Sequence, residues 1–150
     1  MSLQWITTLV LLNLSSTFLM TGVIWTIEWV HYPLFADVGR DNFVHYEAKH
    51  TRAISGLVIP LMLTELISTC LLLKWHPAWL SSTFQWAGLM LVLGAWGITF
   101  LWSVPAHTQL AKAFSVDAHQ QLLRSNHART LCWTSRTGLW IYLLSQHLLI

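Results

Sequence analysis

Residues 5–30 read WITTLVLLNLSSTFLMTGVIWTIEWV, and Glu28 is the only charge among them. A stretch this long and this apolar matches the ~20 residues that carry a helix across ~30 Å of hydrocarbon. It lacks a basic start, and no small-residue cleavage site precedes Trp25, Glu28 and Trp29, so it reads as a retained helix rather than a signal peptide. Three further apolar stretches follow. They cover 53–73 (continued N-terminally through a polar run from Asn42), 84–104 and 131–150. Alternating strand patterns are absent, and backbone polar groups in a bilayer must be satisfied internally, so helices are the natural reading. The expectation is an all-α, integral membrane, antiparallel four-helix bundle. It is one domain, 1–150, with helices at about 5–30, 42–73, 84–105 and 127–149.

Composition agrees. Hydrophobic residues make up 55% of the 150 positions and charged residues 9%, against about 25% in soluble domains. Ten tryptophans fit bilayer interfaces, where amphipathic indoles collect. Trp5, Trp75 and Trp79 read as an outer belt, Trp29, Trp102 and Trp133 as an inner one, and Trp25, Trp86, Trp96 and Trp140 as lining the bundle. A formal charge of +2 without a Lys/Arg cluster argues against a nucleic-acid partner. Cys70 and Cys132 lie in apolar runs without metal spacing and read as free thiols. No P-loop, dinucleotide or nucleophile-elbow motif is present.

Punctuation places the turns. Pro33 closes the first helix, Lys74-Trp75-His76-Pro77 joins the second to the third, and Pro105 ends or kinks the third. Pro60 should kink the second helix, and Gly88, Gly94 and Gly97 permit close approach of the third. Arg40, Lys49, Arg52, Lys112, Arg124, Arg129 and Arg136 fall on one side and only Lys74 on the other. Basic residues stay cytoplasmic, so both termini are expected outside and the two long connections inside a plasma (inner) membrane.

Chemistry should lie where the apolar rule breaks. Six of eight histidines, His31, His45, His50, His107, His119 and His127, fall on the inner side. His31, His50 and His107 stand at helix ends that would meet at one depth, as metal ligands or as a general base. Glu28-Trp29-Val30-His31 and Glu47-Ala48-Lys49-His50 are both E-x-x-H, a spacing that puts carboxylate and imidazole on one helical face. A transition metal (iron, copper or zinc) held by His31, His50, His107, Glu47 and Glu28 is one reading, a bis-histidine haem a second, and plain hydrogen-bonded histidines a third. Glu65 lies fifteen residues beyond His50, ~22 Å along a helix, too far for the same shell. It reads as hydrogen-bonded to Thr64, Thr99 or a backbone carbonyl, as a proton relay, or as the partner of Arg136. Arg129 shares a face with Arg136 and reads as an interfacial residue contacting lipid phosphate.

Several runs carry a resemblance. His31-Tyr32-Pro33-Leu34-Phe35, Phe43-Val44-His45-Tyr46, His50-Thr51-Arg52, Pro60 to Glu65, Val104-Pro105-Ala106-His107-Thr108-Gln109-Leu110 and Asn126 to Arg136 resemble a group of small bacterial four-helix membrane proteins of unknown function. That group is distantly similar to the anthrone-oxygenase-like membrane family. The resemblance favours His31, Tyr46, His50, Arg52, Glu65, His107, Asn126, Arg129, Trp133 and Arg136, and it does not favour Glu28 or Glu47. Anthrone oxygenases oxidise planar polyketide anthrones with molecular oxygen and no evident cofactor, which is the chemistry the distant similarity implies.

Three functions compete. The first is an oxidoreductase acting on a planar apolar molecule, quinone-like or phenolic, taken from the bilayer. His31, His50 and His107 would serve as base or ligands, Arg136 and Asn126 would polarise a substrate oxygen, and Glu65 would move protons. The second is a non-catalytic membrane subunit whose polar residues are interhelical glue and whose partner is a homo-oligomer mate or another membrane protein. The third is a small transporter.

Overall fold

The computed structural model describes residues 2–148, and among them the chain is helical with no strand. Helix α1 spans Leu3–Thr26, with the Ser2 hydroxyl capping its start. The chain then widens into a π turn, Ile27–His31, where the Tyr32 amide donates to the Ile27 carbonyl at 3.0 Å. Pro33 does not end the segment. It opens a 3-10 turn, Pro33–Asp37, because a first helical position needs no N–H.

Helix α2, Arg40–Lys74, runs unbroken through Pro60. Helix α3 spans Ser82–Ile98 and passes through a second π turn, Thr99–Ser103, into the short α4, Val104–Leu110. Pro105 therefore sits in the first turn of α4 and terminates nothing. Helix α5 spans Val116–Leu148 and begins well before the residue 127 expected from hydropathy. Its early turns were hidden because the stripe they bury is partly polar. Ala118, Leu122, Ser125, Arg129, Trp133, Arg136 and Trp140 are all buried, at spacings of three and four that define one helical face.

Three segments are long and apolar enough to cross a membrane: Leu3–Asp37, Arg40–Lys74 and Ser82–Leu110. The expectation was four. Among the described residues α5 does not qualify by composition, because Thr134, Ser135 and Arg136 interrupt its apolar run.

Helix α1 packs on α2 and α5, α3 packs on α5 and α2, and α4 packs on α5. The interior is layered. One apolar cluster holds Leu9, Leu72, Leu80, Trp140 and Leu143. A larger one includes Met20, Ile24, Met62, Phe43 and Leu122. Between them along α1, α2 and α5 lies a buried polar layer of Asn13, Thr17, Glu65, Thr69 and Arg136. The outer surface is the reverse, with Leu12, Leu19, Ile59, Ile67, Trp86 and Leu101 all exposed.

Candidate functional site

The polar layer is closed on itself. Arg136 Nε donates to Glu65 Oε1 at 2.8 Å, Nη1 to the Gly88 carbonyl at 2.6 Å, and Nη2 to Asn13 Oδ1 at 3.0 Å and Thr69 Oγ1 at 3.1 Å. Glu65 Oε1 also accepts from the Thr17 hydroxyl at 2.7 Å, and Oε2 accepts from Trp133 Nε1 at 2.8 Å. Trp140 Nε1 completes Asn13 Oδ1 at 3.1 Å. Charged groups this well matched tie helices together and leave little capacity for a ligand.

A second polar cluster lies within the larger apolar core, beside Tyr32, Phe35 and Ala106. His107 Nδ1 meets Glu47 Oε1 at 2.5 Å, and His107 Nε2 meets the Tyr32 hydroxyl at 2.9 Å. With Glu47 ionised, Nδ1–H donates to the carboxylate and Nε2 is left to accept from Tyr32 O–H. Glu47 is fully buried and Tyr32 nearly so. His119 Nε2 meets the Tyr32 carbonyl at 2.8 Å, which holds the turn that presents the phenol. Phe35 packs edge-on to Tyr32 and His50, with centroids 5.2 and 5.1 Å away.

His31 and His50 form a neighbouring pair, Nε2 to Nδ1 at 2.7 Å, with the His50 ring stacked 5.6 Å from that of His107. The three expected histidines therefore do come together: His31 and His50 share one hydrogen bond, His107 is taken by Glu47 and Tyr32, and His50 Nε2 is left without a partner. Among the described residues no group of three His, Cys, Asp or Glu side chains is placed to hold a metal ion. Adjacent imidazoles 4.5 and 5.6 Å apart leave no plane for a porphyrin between either pair. As arranged, the described side chains form no assembled metal shell and leave no slot for a haem.

Glu28 is not part of this cluster. It turns to α5, where it accepts from Asn126 Nδ2 at 2.6 Å and meets His127 Nδ1 at 3.0 Å. Neither E-x-x-H motif acts as a unit: Glu28 goes to Asn126 and His127 while His31 meets His50, and Glu47 goes to His107. Glu65 and Arg136, expected in catalysis, sit in the closed layer. Asn126 is buried as an anchor for Glu28 rather than facing the histidines.

A cavity of about 290 Å³ adjoins the second cluster. Tyr32, Ser55, Thr99, Ser103, His107 and Arg129 form its polar wall, and Ile54, Met62 and Trp96 are among its apolar ones. The exposed side chains of Ile59, Phe100 and Val104 rim it, so it opens on the apolar exterior between α2 and the second π turn. Two of the residues that line it, Trp96 and Arg129, carry a buried nitrogen without a protein partner, as do Glu47 Oε2, His50 Nε2 and Asn126 Oδ1 elsewhere.

Arg129 is a correction. Expected at a lipid headgroup, it is 4% exposed and lies over the Trp133 ring at 5.4 Å. Trp133 and Trp86 exchange roles as well. The first is buried as a donor to Glu65, and the second is exposed. Tyr32 was missed as a functional residue although it stands inside a quoted run. Its aromatic flank, His31 to Phe35, was the available signal. Tyr46 is half-buried beside His31, and Arg52 is exposed on the surface. Family models, curated proteins and solved structures contain no match to this chain.

Proposed function

We propose that the chain is an integral membrane protein whose four long helices cross antiparallel as a bundle, both termini outside, and whose second polar cluster works at the cytoplasmic end. The exposed apolar belt on the outside and the charged layer within support this reading, since soluble folds do the opposite. Arg40, Lys49, Arg52, Lys112 and Arg124 are the exposed basic residues of the inner side, against Lys74 opposite.

The site takes a planar, apolar phenol from the bilayer and starts its oxidation by dioxygen without a bound cofactor. One observation carries this: the Glu47–His107–Tyr32 relay ends on the wall of an apolar cavity open to the exterior. Tyr32 oxygen accepts the substrate hydroxyl proton while its own proton passes to His107 Nε2, and Glu47 stabilises the imidazolium that results. For a hydroquinone the balance is simple. Two protons and two electrons leave the ring, the quinone forms, and dioxygen takes both pairs as hydrogen peroxide. Glu65 and Arg136 have no step here. Their closed hydrogen bonding supports the second reading for those two residues alone, as glue between helices.

Dioxygen uptake by the purified protein in mild detergent with 1,4-dihydroxynaphthalene tests the reading. Uptake above the protein-free rate should fall ~100-fold in Tyr32→Phe and Glu47→Gln, a typical share for general acid–base catalysis. Equal uptake in wild type and both folded variants would overturn it.

A further inference from the structure

Two arginines lie seven residues apart on the buried face of α5, both 4% exposed. Arg136 spends its guanidinium on Glu65, Gly88, Asn13 and Thr69. Arg129 Nε has no protein acceptor, and the ion pairs of the described residues do not include Arg129. Its neighbours are the Trp133 ring and the Tyr32 side chain. The carboxylates along its contacts are each reached only through other side chains, Glu65 through the Trp133 indole and Glu47 through Tyr32 and His107. A buried cation left this open is costly unless a ligand completes it.

The cavity supplies the place. Arg129 lines it, and so does Trp96, whose indole N–H is buried without a partner. Both residues thus border one space, whose other walls are polar at Tyr32, Ser55, Ser103 and His107 and apolar at Ile54 and Met62. Its 290 Å³ is at the low end of the ~300–1,000 Å³ of ligand pockets, a size for a flat fused ring rather than a bulky lipid. The Trp96 and Phe100 rings lie 5.4 Å apart and tilted by 33°, an aromatic wall against which such a ring can lie.

We infer that Arg129 and Trp96 form an oxyanion subsite, so that the cavity binds its planar aromatic ligand as the ring-oxygen anion. This rests on the proposed function and deepens it by naming the charge state of the bound molecule. The ring O–H bond breaks on the Tyr32 side, the proton moves into the relay, and the electron pair stays on the ligand oxygen beside Arg129. The balance needs no oxidant, because only a proton is transferred.

The probe is 4-nitro-1-naphthol, whose anion is coloured, added to the detergent-solubilised protein at fixed pH below the free probe's ionisation. Binding to wild type should raise the coloured fraction. Arg129→Gln should bind at least tenfold more weakly and lose the colour shift, and Trp96→Phe should bind severalfold more weakly with a reduced shift. 1-Nitronaphthalene, lacking the hydroxyl, should bind like the probe does to Arg129→Gln. An unchanged affinity and shift in folded Arg129→Gln would overturn the subsite. If that variant does not fold, an unchanged Trp96→Phe together with equal binding of 1-nitronaphthalene would do so. Dodecanoate that displaces the probe at concentrations below those of the probe itself would assign the subsite to a lipid carboxylate and overturn the aromatic ligand. Glu47→Gln separates the two readings. A colour shift that persists while dioxygen uptake proves independent of Glu47 keeps the subsite and removes the oxidation.

Discussion

Glu65 on α2 and Arg136 on α5 are joined Oε1 to Nε at 2.8 Å, in a layer where every polar atom of both side chains has a protein partner. Removing one member leaves the other charged, buried and incomplete. Glu65→Gln or Arg136→Gln should each cost about 3–5 kcal/mol, read as a loss of thermal stability in detergent. The double replacement Glu65→Met with Arg136→Leu should cost less than the sum of the two singles. Additive losses would show that the pair is not coupled.

The same layer explains which helix-three glycine matters. A Cβ at Gly88 would stand 2.8 Å from Arg136 Nη1, whereas one at Gly94 meets only Cys132 Sγ at 3.7 Å and one at Gly97 meets nothing within 4 Å. Gly88→Ala should therefore cost about 1–3 kcal/mol through overpacking against the guanidinium. Gly97→Ala should be neutral or gain up to ~1 kcal/mol, since alanine is the better helix former. Melting temperatures of the two variants check the contrast.

Access is expected from the side. Ile59 is half exposed at the mouth of the cavity, away from the polar wall. Ile59→Trp should narrow that mouth, raise KM for 1,4-dihydroxynaphthalene severalfold and leave kcat nearly unchanged. A fall in kcat alone would place entry elsewhere.

Topology can be read by labelling. A single cysteine introduced at Asp117, on a background with Cys70 and Cys132 replaced by Ala, should react with an impermeant maleimide only from the cytoplasmic side. One introduced at Ser81 should react only from outside. Both positions are outside the apolar cores, Asp117 exposed in the first turn of α5 and Ser81 exposed at the cap of α3. The reverse pattern would invert the proposed orientation. The basic bias behind it is five exposed residues against one, because Arg129 and Arg136 are interior and carry no topological weight.

Much of the fold was legible because apolar runs report helices directly. Residues 5–30, 53–73 and 84–104 all lie in helical segments of the structure. The α5 start was not legible, since a hydropathy reading sees Asp117 to Arg129 as a loop when the buried stripe is Ser125, Asn126 and Arg129. The site was legible in its members and not in its connections. His31, His50 and His107 were expected together and are together, yet spacing alone cannot say that His31 bonds His50 while His107 turns to Glu47 and Tyr32. Tyr32 was not singled out, and Arg129 was singled out but misplaced, for opposite reasons. A tyrosine beside a helix-ending proline looks like an interface anchor, and an arginine near the expected start of a helix looks like a lipid contact. Only packing shows both facing the same cavity.

Each of the two π turns holds one residue more than an α turn would, and both stand immediately before a residue of the relay or within reach of it, Ile27–His31 ahead of Tyr32 and Thr99–Ser103 ahead of His107. One surplus residue advances everything beyond it by ~100° around the helix axis. Tyr32 and His107 meet because two helices are out of phase with their own beginnings by the same step. Deleting a single residue from either turn would rotate one partner out of the cluster together with the core residues beyond it, Phe35 in one case and Ala106 and Leu110 in the other, so the meeting of Tyr32 and His107 depends on both turns.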